Sequence, residues 1–429
     1  MSFEKRRITL MDALEMGLLA VILNMNALKV VLRTTSNALT YLVFAAFAGV
    51  MLRRIVAGEY RLEFDRPVLG VLLVFLAGVA VSMVARGNLI EALPTLAKFL
   101  AGLVIAYLAS LQTGENRRGS LMLTMLISAV YAVFLILQYS SVYNGLIKTE
   151  KFNYLNVTLP LGLGLSLALS LITCGKGSWG EKALCAGCVA LQAAAMLKFN
   201  ARGNLVFPVA VAIVLMVIVH RKDAKKLLAV GLAALILAAA AYFLILAFGS
   251  EKLLQRFTRI LTDAEQEPRF LLYQYSIRRI AGNAEYLFGQ GFDCSRGILK
   301  AAGFHESYPH NFVLELVGEM GLAGLALLCT AVVRLIRAEG VQAEAFLTAP
   351  DEEKGPRTRL FCLMNAGLLF YAMIFFKSYS IYDGYQLFIF LAMMLHPCAE
   401  SVISMARAAI PERTARRGSP RGKEAQAPC

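Results

Sequence analysis

No Asp-rich motif occurs in the 429 residues, so the sequence offers no seat for a divalent cation and no metal or cofactor is expected. Cysteine occurs eight times but builds no framework. Cys185 and Cys188 form a CxxC inside an apolar stretch without a second ligand pair nearby, a pattern that reads as small buried residues. Only Cys294 lies in the longest polar segment, which excludes a disulfide scaffold there. No repeat relates the two halves, which weakens an inverted-repeat transporter reading. Lys5-Arg6-Arg7 precedes an apolar run, yet no small-residue cleavage site follows, so no cleavable signal peptide is expected. Charge is also scarce: 17% of residues are Asp, Glu, Lys or Arg against 58% hydrophobic, a balance that argues against a soluble fold.

What is present is a succession of apolar runs near twenty residues long. The expected fold class is all-α integral membrane protein, with about twelve transmembrane helices and a long extracytoplasmic loop. The spans fall near 10–32, 38–57, 67–85, 93–112, 119–140, 155–173, 180–197, 204–220, 226–248, 312–334, 359–377 and 381–404. The first carries Asp12, Glu15, Asn24, Asn26 and Lys29, and an interfacial helix is the alternative there. Residues 1–410 read as a single polytopic domain with an outer loop over 249–311. Residues 411–429 read as a disordered basic tail.

The net charge of +14 is spread between spans rather than gathered on one face, which is the positive-inside pattern and not a nucleic-acid footprint. Arg53-Arg54, Arg117-Arg118, Arg221 to Lys226 and the tail from Arg413 to Lys423 mark the cytoplasmic side. Both termini are then cytoplasmic and the long loop faces outward. Within that loop, Glu251–Leu261 and Arg269–Ala281 carry apolar residues at helical spacing and read as amphipathic surface helices. Pro350–Arg359 reads as a charged cytoplasmic connector.

The loop ends in Tyr308-Pro309-His310-Asn311-Phe312 and runs directly into an apolar helix containing Glu315, then Gly318-Glu319-Met320-Gly321-Leu322-Ala323-Gly324-Leu325. Ionisable groups entering a bilayer are costly without a task. This string resembles the signature of the O-antigen ligase and polymerase superfamily of bacterial integral membrane glycosyltransferases: a loop-end His-Asn, a glutamate soon after, and Glu-x-Gly-Leu-x-Gly-Leu in the following helix. The resemblance is sharpest over 265–325 and fainter around Phe152–Pro160 and Asn200–Pro208. It implies a functional trio of two outward-face arginines and the loop-end histidine, which match Arg202, Arg269 and His310 here.

Those residue types suit transfer of a glycan from an undecaprenyl-pyrophosphate-linked donor. Guanidinium groups fork onto phosphate oxygens and stabilise the charge gathering on the leaving group. An imidazole can take the proton of the attacking hydroxyl, and direct attack inverts the anomeric centre without a metal. Taken alone, an interfacial arginine is as readily a snorkelling anchor. Lys98 sits inside the fourth span after Pro94 and needs a partner, either a lipid phosphate or a carboxylate such as Glu91 or one from another helix. Asn311, Tyr308 and Glu315 are expected at the substrate, Glu315 orienting a loop-end group, and Tyr308 and Asp383 touching sugar hydroxyls. Glu319 reads as a buried partner for a neighbouring helix, Gly321 and Gly324 as packing residues, and Arg278 and Arg279 as headgroup-facing. Arg86 and Lys377 read as loop charges.

The resulting expectation is a membrane glycosyltransferase at the cytoplasmic (inner) membrane with its active site on the extracytoplasmic side. Its partners are the lipid-linked donor, a glycan or lipid acceptor, and membrane lipids, with no nucleic acid. Polymerisation of surface polysaccharide repeat units is the first choice. O-antigen ligation and protein O-glycosylation are alternatives, and a lipid-linked sugar flippase is the rival from another class.

Overall fold

Apolar runs set the lengths of the helices here, and polar residues within them set the breaks. The computed structural model describes residues 8–62, 66–174, 177–199, 201–221, 268–282, 289–305, 308–348 and 351–396, with isolated positions between 223 and 232 and at 287. Within these the chain is helical, without a strand. The helices are α1 (Leu10–Leu23), α2 (Met25–Val31), α3 (Ala38–Val56), α4 (Arg66–Arg86), α5 (Leu89–Ser110), α6 (Gly114–Leu137), α7 (Tyr154–Cys174), α8 (Trp179–Lys198), α9 (Arg202–His220), α10 (Pro268–Gly282), α11 (Ser295–Ala301), α12 (Phe312–Thr348), α13 (Asp351–Lys377) and α14 (Tyr385–Leu395).

Among the described residues nine helices are long and apolar enough to cross a membrane, or ten if α1 and α2 count as one bent span. The chain is a multi-pass membrane protein. The expected span 226–248, the helix Glu251–Leu261 and the tail 411–429 lie outside the described residues. The stretch 381–404 is described only as far as residue 396, where α14 is a shorter apolar helix.

The first apolar stretch is not a straight span. It bends by 75° between α1 and α2, at Asn24. The Asn24 side chain donates to the carbonyls of Ala20 (3.0 Å) and Thr124 (3.2 Å) there, tying the bend to α6. The acids that weakened this stretch in the sequence are buried. Asp12 and Glu15 pair with Arg54 of α3, and Glu15 also accepts from Tyr60 at 3.0 Å. Removing one partner from such a cluster would strand a buried charge, so α1 is locked against α3.

Helix α7 lies at the centre, 83% buried across its apolar window and packed against α6, α8, α9 and α13. Small residues make this possible. A Cβ on Gly164 would stand 2.3 Å from Ser128 Oγ of α6 and 2.4 Å from Gln192 Nε2 of α8. Around this centre α5 packs on α14, and α4 on α12. Helix α12 runs well beyond its expected span, and α13 begins at Asp351, so most of the expected charged connector is helix.

Candidate active site

A helix broken inside an apolar layer leaves carbonyls without their i+4 donors, and the site is assembled around that repair. Gly321 breaks α12 with φ 55° and ψ −135°. The carbonyls of Gly318 and Glu319 accept instead from the amides of Gln290 (2.8 Å) and Gly291 (2.9 Å), in the loop before α11. Any side chain at Gly321 would meet the Gly289 nitrogen at 2.6 Å, and one at Gly289 would meet the Glu319 carbonyl oxygen at 2.1 Å. Gly321 thus permits a close approach of loop to helix, where the sequence indicated helix packing.

Two buried carboxylates extend the same joint. Glu319 accepts from the amides of Asp293 (2.8 Å) and Ser295 (3.1 Å) and from the Tyr382 hydroxyl. One turn earlier, Glu315 accepts from Ser380 Oγ and the Ile381 amide, both at 2.7 Å. The carboxylates therefore fasten two separate loops, 289–294 and 378–384, to the helix that follows His310. Each buried carboxyl group is thereby supplied with hydrogen-bond donors. Glu315 orients the second loop, which differs from the loop-end contact expected of it.

His310 stands at the head of α12 with φ +56°, a left-handed conformation that costs a non-glycine residue about 1–2 kcal/mol. Contacts on both sides hold it there. The Tyr273 hydroxyl of α10 donates to its carbonyl at 3.2 Å, and Asn311 caps α12, its Oδ1 accepting from the amides of Val313 (3.0 Å) and Leu314 (3.1 Å). The side-chain oxygen of Asn311 is thus committed to the helix cap. The imidazole Nδ1 lies 3.3 Å from the Ser378 carbonyl, which also accepts the Tyr308 hydroxyl at 2.8 Å. A carbonyl can only accept, so Nδ1 carries the proton and Nε2 is the basic nitrogen. The Tyr308 ring backs the imidazole at 4.5 Å between centroids.

The cations gather at the same end. Arg269, in the first turn of α10, lies within electrostatic reach of both Tyr308 and Tyr273. Burial pushes both phenols above their ordinary value, Arg269 partly opposes this, and for Tyr308 the charges of Glu315 and Asp383 reinforce it. Tyr308 therefore remains a hydrogen-bond donor at neutral pH. Arg202 opens α9. Two residues on, Asn204 donates to Thr158 Oγ1 at 2.8 Å, joining the two segments of fainter resemblance. Lys377, which the sequence placed as a loop charge, closes α13 beside them. Its ammonium is 5.3 Å from the Phe207 ring centroid and 3.0 Å from where a Cβ on Gly203 would sit. The head of α9 and His310 are thus both approached by the end of α13, through Lys377 and Ser378 respectively.

Lys98 takes its partner from Asp383, with which it forms a half-exposed ion pair. One turn away, Thr95 donates to Asp293 Oδ2 at 2.7 Å, so one face of α5 meets an acid from each stapled loop. Lys29 of the bent α2 lies within electrostatic reach of both Lys98 and Asp383. Burial raises the Asp293 carboxyl above the usual range, although Thr95 and Arg296 oppose this. No cluster of three or more metal-ligating side chains stands together among the described residues.

The hub missed by the sequence reading is the short loop 378–384. Ser378 meets His310 and Tyr308; Ser380 and Ile381 meet Glu315; Tyr382 meets Glu319; and Asp383 meets Lys98. The Tyr379 hydroxyl donates to Asn156 of α7 at 2.7 Å. Its sequence, Ser-Tyr-Ser-Ile-Tyr-Asp-Gly, is dense in hydroxyls for a connector between two apolar helices, and that was the available signal.

Fold and site together define a polytopic helical membrane protein with a strained histidine, stapled loops and converging cations at one end of the bundle. Residues 186–329 match the family model for O-antigen ligase, so this segment is similar to members of the O-antigen ligase and polymerase superfamily. That family is associated with glycosyl-transfer ligase and polymerase activity on lipid-linked glycans in a membrane. No curated protein matches the chain.

Proposed function

We propose that the protein transfers a glycan from an undecaprenyl-pyrophosphate carrier to an acceptor hydroxyl at the outer face of the cytoplasmic membrane, polymerising surface polysaccharide repeat units. Both termini are cytoplasmic in this reading. The observation that carries it is His310: its ring is oriented through Nδ1 by the Ser378 carbonyl and backed by Tyr308, which lies within electrostatic reach of Arg269, and the neighbouring Lys377 stands at the head of α9.

Nε2 of His310 removes the proton from the acceptor hydroxyl as its oxygen attacks the anomeric carbon, and the bond to the pyrophosphate oxygen breaks with inversion. Arg202 and Arg269 hold the pyrophosphate and stabilise the charge it gains. Lys377 supplies a third cation at the head of α9. Lys98 leaves Asp383 to engage a carrier phosphate, and Tyr308 holds the imidazole in place. This scheme calls for no metal ion.

The fate of lipid-linked repeat units in cells lacking the protein tests this reading. Single units displayed on the outer leaflet are expected for a polymerase. Single units retained on the inner leaflet would mean a flippase and would overturn the proposal.

A further inference from the structure

Helix α10 presents three distinct faces. Leu272 and Ser276 are buried, and Ile280 stands 3.4 Å from where a Cβ on Gly318 of α12 would lie, so this face docks on the bundle. Phe270 and Ile277, one heptad apart, form an exposed apolar stripe. Leu271, Gln274, Tyr275, Arg278 and Arg279 make the third face, and with Phe304 they line a groove of about 580 Å³. Arg279 donates to the Tyr275 hydroxyl at 3.2 Å, and the Tyr275 and Phe304 rings lie 5.3 Å apart.

We propose that this groove is a subsite for a carboxylate-bearing sugar of the glycan, an inference that rests on the function proposed above. Its volume falls in the range of small-molecule sites. The two guanidinium groups match a carboxylate in charge and shape, while the aromatic pair and the Gln274 amide suit a ring that is apolar on its faces and polar at its edge. Location favours a sugar over a lipid headgroup. Arg278 lies nine residues along the helix from Arg269, about 14 Å, so a pyrophosphate at Arg269 does not reach it. The exposed apolar stripe of Phe270 and Ile277 is a neighbouring face of the helix, with Gln274 between it and the rest of the groove.

The test is binding of trigalacturonate, and of neutral trigalactose as control, to the purified full chain in nanodiscs. Wild-type protein should prefer the acidic trimer. An Arg278→Ala/Arg279→Ala double variant should bind the acidic trimer about tenfold more weakly or worse, with neutral binding unchanged. Arg278→Lys/Arg279→Lys, which keeps the charge but not the fork, should fall between. If the alanine variant fails to fold, the lysine variant and Phe304→Ala still decide, since each must lose affinity. Equal trigalacturonate binding by all variants would overturn the proposal, as would arginine-dependent binding of phosphatidylglycerol that trigalacturonate does not displace. His310→Ala should retain trigalacturonate binding. Normal polymer from that variant would overturn the function, whereas failure of the arginine variants to matter would overturn only the subsite.

Discussion

Replacing Glu319 by alanine should release the loop before α11 without unfolding the bundle, and Cys294 can report it. The Glu319 carboxylate accepts from the amides of Asp293 and Ser295, which flank this thiol on both sides. Each buried amide left without an acceptor costs about 1–3 kcal/mol. The bonds from Gln290 and Gly291 to α12 carbonyls survive the change, so opening is confined to residues 292–295. At the low end, about 2 kcal/mol of lost local stability raises the open population roughly 30-fold. Cys294 is partly buried, so its reaction with a maleimide, quantified by peptide mass spectrometry, should accelerate by about that factor. Glu319→Gln keeps the shape and one acceptor oxygen and should give an intermediate rate. An unchanged Cys294 rate in a folded Glu319→Ala protein would refute the stapling argument.

Gly321→Ala forces a Cβ to within 2.6 Å of the Gly289 nitrogen at a backbone conformation reserved for glycine, and should cost about 2–5 kcal/mol as a large drop in thermal stability in detergent. Lys98→Gln breaks a half-exposed ion pair and should cost under about 1 kcal/mol, while polymer synthesis falls at least tenfold; unchanged synthesis would remove Lys98 from the site. Tyr308→Phe should weaken activity about tenfold through loss of its bond to Ser378, with no change in the alkaline limb of the pH profile, because the raised phenol does not titrate there. Asp293 gives a pH signature. Its folded carboxyl is raised, so the stability it contributes is fully present below the unfolded value of about 3.9 and is lost as pH rises through the folded one. Melting curves of wild type should therefore lose ground to Asp293→Asn as pH rises from about 4; a pH-independent gap would contradict this.

The helices were legible because crossing a membrane demands long apolar runs, and α3 to α9 follow the hydropathy closely. The bend at Asn24 was not, since α1 and α2 form one continuous apolar stretch and contacts with distant segments, such as that of Asn24 with Thr124, accompany the angle. The string from His310 to Gly324 announced a site. Local sequence could not show that Glu315 and Glu319 bind backbone amides of loops distant in the chain, or that Gly321 breaks a helix its neighbours favour. Lys98 and Asp383 were each singled out, but their pairing is a tertiary fact. Lys377 ends α13 where the expected span ends, but that its ammonium reaches Gly203 is again a tertiary fact.

The central claim is that His310 and Arg269 perform glycosyl transfer. It is tested most directly by the chain-length distribution of surface polysaccharide in a deletion strain carrying wild-type protein, His310→Ala or Arg269→Ala at matched expression. Loss of long chains, with single repeat units remaining, is the expected result for both variants, through a rate loss of about 10²–10⁴ for the missing base. Polymer of normal length from both would contradict it.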